Sequence, residues 1–494
     1  MRASIRSGLR QGNIPFSFAP AYGDGMVLQA GRPVVVRGFG PPGARVEVSF
    51  KDREAHCRIG PSGEWLARLP ASEADGRGGE LIARLSGAQT RYPAPAEIRL
   101  RNVLIGEVWF CSGQSNMEMG LGMADAGAGE IQEESIPGLR FILRPKASSP
   151  IPIDEVQGQW KIASRDALLE GGWEGFSAIA YHFGRLLHKA LGVPIGIIQA
   201  AYGGAKIQPF IGPEFLRGNA PLRAAGAEWK MADRAWRAAG GEASGALHPF
   251  NAFTEWDALK PATVWNAMVH PFRGMALRGV LWYQGESNVG DGMAYKGMMA
   301  ALAASFRSVF DNRRLPLYFT QIAPWRYGKD SDLFELWEAQ KAASRYPGMG
   351  MAVTADLGDL EDIHPRRKRL VGERLASIAL RRSYGKDGIL DCGPSLRSMA
   401  FREGGAVLEF RCAPGGLRLT RGGSAPTGFE LAGTTRTFTP AQARIEGDRV
   451  ILSWEGPGRP SHVRYCRSMT AVPDLSDASG IPTLPFGPWD PAGT

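Results

Sequence analysis

The sequence has no run of 18 or more apolar residues, which leaves no candidate for a membrane-spanning helix. Its basic start, MRASIRSGLRQGNIPF, has no apolar h-region, so no signal peptide is visible. Localisation is left open: cytoplasmic as written, periplasmic or secreted if the true N-terminus lies elsewhere. Cysteine is scarce and odd in number: Cys57, Cys111, Cys392, Cys412 and Cys466. They form no C-x-x-C pair and no Cys/His ligand spacing, so no metal is expected. A disulfide between two of the last three stays open, and Cys111 is expected to face the core. A block of Lys/Arg interleaved with aromatics is also missing. The net charge of +9 is scattered. Its densest cluster, Pro365-Arg366-Arg367-Lys368-Arg369, falls in what reads as the first turn of a helix. A solvated basic surface is expected there, not a nucleic-acid partner. No internal repeat or low-complexity tract occurs.

What is present is a globular chain of 494 residues, 44% hydrophobic and long enough for two to four domains. From about Met26 to Arg101, short segments (PVVVRGF, ARVEVSF, HCRIG, EWLARL, GELIARL, AEIRL) separated by Gly/Pro turns predict an antiparallel β-sandwich. The middle alternates apolar runs (residues 103–111, 193–200, 279–283, 315–322 and 348–355) with helical patterns at 178–191, 295–307 and 365–381. That alternation predicts an α/β core with a doubly wound parallel sheet and helices on both faces. The resulting division is an N-terminal β-domain at 1–101, a core at 102–382 and a C-terminal β-region at 383–494. A polar, Ala/Gly-rich stretch at about 212–261 reads as a weakly helical insertion over the active face, or a lid. Asp448-Arg449 is placed in a hairpin turn.

Reactive groups in an open α/β sheet collect just past the carboxyl ends of strands. Four such ends carry polar residues here: Gly113-Gln114-Ser115-Asn116, then Tyr202-Gly203-Gly204-Ala205, then Gln284-Gly285-Glu286-Ser287-Asn288, and finally an acidic loop from Asp356 to Pro365. A serine hydroxyl is a weak nucleophile and needs an imidazole to take its proton. Of seven histidines, only His364 lies in an acidic loop at a strand end. A carboxylate beside it would fix its tautomer, and Asp362 or Glu361 is near enough in sequence. The glycines at 203 and 204 can turn N–H groups toward a crevice, while Gln284, or after it Asn288, offers a side-chain amide for an oxyanion. Each motif has a plainer reading. Ser115 could cap a helix, Gly203-Gly204 could end a strand, Asp362 could cap a helix that Pro365 starts, and Gln284 and Glu286 could be a structural hydrogen-bonding pair. Four strand ends sharing one chemistry outweigh those readings taken together.

GEVWFCSGQSNM, YGGA, RGVLWYQGESN and DIHPRRKRLVGERLA resemble the ordered blocks of the sialate O-acetylesterase and acetylxylan-esterase-like branch of the SGNH hydrolases. GDGMVLQAGRPVVVRGFGPPGARVEV is similar to that family's N-terminal β-domain, and GFELAG, VILSW, VRY and ASGIPTLPF to its C-terminal segment, so the resemblance covers roughly residues 20–490. It implies an SGNH, flavodoxin-like three-layer core with flanking antiparallel, jelly-roll-like β-domains. It also implies cofactor-free hydrolysis of O-acetyl esters on carbohydrates. Residue by residue it implies Ser115 as nucleophile, His364 as base, Asp362 as the third member in preference to Glu361, and Gly204 and Gln284 at the oxyanion. The chain departs from the family at Gly203-Gly204-Ala205-Lys206-Ile207-Gln208-Pro209-Phe210, where relatives carry GGT and a tryptophan. It departs also at VRYCRS and in the 212–261 insertion. A lipase or thioesterase, a carbohydrate-binding protein with a relic site, and a glycosidase using Glu118 and Glu286 are the competing readings. The last leaves the serine and histidine unexplained.

Overall fold

Burial along the strand Glu97–Gly113 changes character part-way: its first six residues mix exposed and half-buried positions, and every residue from Val103 onward is buried. Mixed exposure suits a sheet with one wet face, whereas unbroken burial suits a strand covered on both faces. The segments AEIRL and 103–111 are therefore one continuous strand with two environments. Its beginning pairs antiparallel with Asp75–Ser86. Its end runs parallel to Ile195–Ala201, in register from Ile195↔Glu107 to Ala201↔Gly113.

The structure, a computed structural model, describes residues 14–86, 97–125, 129, 131, 135–241, 260–420 and 422–489. The basic start, His248 and the second part of the 212–261 stretch lie outside these. The chain divides into two compact units, Met1–Trp282 with Ala300–Leu317, and Tyr283–Met299 with Tyr318–Thr494.

In the first unit, antiparallel pairs join Val34–Phe39 to Glu64–Leu69 and Arg45–Phe50 to both Arg53–Arg58 and Asp75–Ser86. Beyond them lie side by side Trp160–Ala163, Ile136–Leu143, Ile195–Ala201, Glu97–Gly113 and Gly279–Tyr283. Ile195–Ala201 is parallel to both of its neighbours, as the strand–helix alternation predicts. The edge strand Trp160–Ala163 is antiparallel, so the sheet is mixed. The helix Ala178–Leu191 has the predicted bounds. Ser177 Oγ accepts from Ala180 N–H at 3.2 Å at its start, and Gly192 ends it at φ 68°. Caps of this kind contribute about 1 kcal/mol.

The stretch read as weakly helical contains a 19-residue helix, Ala220–Ala238, capped by Asn219. Leu222, Trp229 and Trp236 are its buried residues. Their seven-residue spacing puts them on one stripe of an alanine-rich segment, and that stripe is what makes the helix firm.

The second unit holds the strand Met349–Ala352 and the helices Asp330–Ala343 and Lys368–Arg382. Its C-terminal part has two four-stranded sheets sharing one core, with Phe401, Leu408 and Leu452 from one and Phe429, Val463, Tyr465 and Phe486 from the other. Gln442–Glu446 and Arg449–Ser453 form a hairpin closed by Glu446↔Arg449. The turn is Gly447-Asp448, one residue earlier than predicted, because Gly447 supplies the positive φ that such a turn needs. All five cysteines are free thiols, and Cys111 is fully buried as expected.

Candidate active site

Between Val103 and Leu121 every residue is buried except Ser115, which is partly exposed. It opens a four-residue helix, Ser115–Glu118, directly after the long strand. Gln114 precedes it in extended conformation, and its carbonyl accepts the N–H groups of Met117 and Glu118 at 2.9 and 3.0 Å. The hydroxyl is thus carried on rigid backbone at a strand end, with buried neighbours on both sides.

The Tyr202–Ala205 turn lies against it. Tyr202 N–H donates to the Gly113 carbonyl at 2.9 Å, extending the parallel register past the strand. Gly203 N–H donates to Glu118 Oε2 at 2.8 Å, and Glu118 is paired with Lys146 at 2.9 Å. A Cβ at Gly203 would stand 2.7 Å from that Oε2 and 3.5 Å from Ser115 Cβ, so a side chain there would require the Glu118 carboxylate or the turn to shift. Gly203 N–H is committed to Glu118. Gly204, at φ 76°, is the partly exposed member of the pair. The Lys146 ammonium lies 5.8 Å from the Tyr202 ring centroid.

In the second unit, Gln284 is wholly buried. Its Nε2 donates to Asn288 Oδ1 at 2.6 Å, and its Oε1 lies 2.8 Å from the Tyr295 hydroxyl that donates toward it. Asn288 Nδ2 donates in turn to Asp291 Oδ2 at 2.7 Å. This network holds the amide in one orientation and ties it to its own segment.

The acidic loop is pinned at its start by Arg374, whose guanidinium makes two 2.7 Å bonds to the Asp356 carboxylate. His364 is half-buried. Asp362 Oδ1 accepts its main-chain N–H at 2.8 Å and lies 3.5 Å from its Nδ1. Glu361 faces solvent and pairs with Arg326 at 2.7 Å. Of the two candidate carboxylates, Asp362 is the one beside the ring. An Nδ1–H turned to it leaves Nε2 as the proton acceptor. Burial pushes the imidazole below its ordinary range, Lys368 adds to that push, and Asp362 opposes it. The helix begins at Lys368, three residues after the predicted Pro365, so Asp362 braces the histidine rather than capping a helix. Among the described residues no group of three or more His, Cys, Asp or Glu is placed to hold a metal.

A family model described as carbohydrate esterase, sialic acid-specific acetylesterase, matches residues 251–381. The sialate O-acetylesterase of Rattus norvegicus is 30% identical over 426 residues, covering 78% of this chain and 77% of that protein. The chain belongs to the sialate O-acetylesterase family. The Homo sapiens sialate O-acetylesterase is likewise 30% identical, covering 78% of this chain and 74% of its own length. The crystal structure of a carbohydrate acetylesterase from Xanthomonas citri is similar at a TM-score of 0.80 and 30% identity, over 95% of this chain and 99% of that one.

Within this sialate O-acetylesterase family member, two residues escaped the sequence reading. Glu118, weighed only as a glycosidase carboxylate, is occupied by Gly203 and Lys146. Lys368, grouped with a solvated basic cluster, is 1% exposed. A signal for it existed: Lys368 stands three and seven positions before Val371 and Leu375, on the buried stripe of its helix. Glu118 had no such signal, because its partner lies 85 positions away.

Proposed function

We propose that this chain is a serine esterase that removes O-acetyl groups from carbohydrates, with Ser115 as nucleophile and His364 as general base. The Ser115 hydroxyl attacks the acetyl carbonyl while His364 Nε2 takes its proton, and the resulting imidazolium is stabilised by Asp362. The oxyanion is met by Gly204 N–H and by Gln284, whose ties to Asn288 and Tyr295 preorganise it. Collapse returns the proton to the sugar oxygen and leaves an acetyl ester on Ser115. A water then gives its proton to His364, releases acetate and restores the hydroxyl. No step calls for a metal or cofactor.

The observation that carries this reading is the partly exposed Ser115 just past the end of a strand that is buried from Val103 onward. O-acetylated sialic acid is the first substrate to test, since the curated relatives are named for it, and acetylated xylan oligosaccharides are the comparison. The three-layer SGNH arrangement and the division at 1–101, 102–382 and 383–494 belong to the same proposal.

Ser115→Ala and His364→Ala should each abolish acetate release from p-nitrophenyl acetate. Rapid acid quench of the unmodified enzyme should trap an acetyl group on the peptide bearing Ser115, found by mass spectrometry. Wild-type turnover in either variant, or acetyl on another residue, overturns the assignment.

A further inference from the structure

The strand Ile136–Leu143 runs parallel to Ile195–Ala201, so its carboxyl end opens on the same side as Gly113 and Ala201. Groups that meet ligands collect on that side of an open α/β sheet. Arg144 N–H donates to the Gln199 carbonyl at 2.9 Å and carries the register past the strand. The buried Arg144 guanidinium donates to the carbonyls of Pro145 at 3.0 Å and Ala267 at 3.2 Å, which fastens the backbone just before Lys146. Lys146 therefore stands on firm support three residues past a strand end. Its Nζ lies 3.6 Å, and Ser115 Cβ 3.5 Å, from the point where a Gly203 Cβ would stand. Cation and nucleophile flank one glycine.

Lys146 is paired with Glu118 at 2.9 Å, and the two ends of that pair differ in exposure. The Glu118 side chain is 7% exposed, and its other oxygen accepts Gly203 N–H at 2.8 Å. The Lys146 side chain is 47% exposed. A group approaching Ser115 thus meets the cation before the buried anion. An ammonium has three N–H donors, and Glu118 Oε1 occupies one of them.

We propose that Lys146 is a specificity-determining residue: its ammonium receives the carboxylate of an acidic sugar whose acetyl ester is held at Ser115. The inference rests on the reading of Ser115 as the nucleophile. A sugar carboxylate leaving water regains a charge-assisted hydrogen bond at this ammonium, whereas a neutral sugar gains no such bond. The site therefore favours acetylated sugar acids over neutral acetylated sugars. The carboxylate takes no part in acyl transfer, so its bond to Lys146 is the same before and during the reaction. Uniform binding of that kind acts on KM and leaves kcat little changed.

The test compares two substrates in the full chain: O-acetylated sialic acid, and the same sugar with its carboxylate converted to a neutral carboxamide. Acetate release gives kcat and KM for each. The unmodified enzyme should prefer the acid by roughly 10-fold in kcat/KM, through KM, the lower end of what a charge-assisted hydrogen bond supplies. Added salt should weaken that preference. In Lys146→Met, which keeps length and removes charge, the preference should vanish, and in Lys146→Arg most of it should remain. The ratio is taken within each enzyme, so a general loss from loosening Glu118 cancels. A Lys146→Met enzyme that falls equally on both substrates and keeps the preference overturns the proposal and assigns Lys146 to holding Glu118. Should that variant fail to fold, the unmodified enzyme still decides: equal kcat/KM on acid and carboxamide refutes recognition of the carboxylate. Failure of the esterase reading itself would show as turnover of p-nitrophenyl acetate by Ser115→Ala. That substrate has no carboxylate, so the two failures are separable.

Discussion

Adding one methyl group at Gly203 should cripple the enzyme while leaving it folded. The new carbon would sit 2.7 Å from Glu118 Oε2, where ordinary contact begins near 3.4 Å, and 3.6 Å from Lys146 Nζ. Glu118 cannot swing aside cheaply, because Gly203 N–H and Lys146 hold its carboxylate at 2.8 and 2.9 Å. The turn must give instead, carrying Gly204 N–H with it. Overpacking of this kind costs about 1–3 kcal/mol of stability. A misplacement on the order of 1 Å at a reacting centre costs about 100-fold in rate. Gly203→Ala should therefore lower kcat on p-nitrophenyl acetate by roughly 10- to 100-fold with KM nearly unchanged, and shift the urea midpoint modestly. A double-mutant cycle isolates the cause. In a Glu118→Ala background the obstructing oxygen is gone, so adding Gly203→Ala should cost little more, a non-additivity expected of groups in contact. Wild-type kcat in Gly203→Ala, or additive losses in the double mutant, would refute the argument that Glu118 sets this turn.

The remaining tests address the second unit. Asp362→Asn should lower kcat by about 10⁴-fold if the carboxylate sets the imidazole tautomer, whereas Glu361→Gln should leave kcat unchanged, since its carboxylate faces solvent beside Arg326. Equal effects of the two, measured by steady-state kinetics, would break the distinction. Gln284→Ala should cut kcat by about 10²–10³-fold with a smaller change in KM if the amide meets the oxyanion. A loss of thermal stability with kcat retained would instead assign Gln284 to fastening Asn288 and Tyr295.

Much of the chain was legible before any coordinates. The helix Ala178–Leu191 carries its own stop and start signals, Ser177 before it and Gly192 after it, so its bounds could be read directly. The strand end was read at residue 111, two residues short of its actual end at Gly113, and an apolar run meeting a polar turn placed Ser115 just beyond it. Such features depend on neighbours in sequence, where backbone geometry and periodicity act over a few residues. The 220–238 helix was underread because its three buried anchors are spaced seven apart among alanines and charges.

Other features were decided only by folding. Four consecutive residues at 366–369 are alike in chemistry, yet the fold turns Lys368 inward and leaves Arg366, Arg367 and Arg369 in solvent. Asp362 and Glu361 are equivalent on paper, and the loop's path sets one beside the imidazole and the other beside Arg326. Local patterning therefore told where reactive groups stand along the chain. Which charge meets which counter-charge depended on contacts between distant segments, because Coulombic and steric terms act through space and carry no trace in the order of residues.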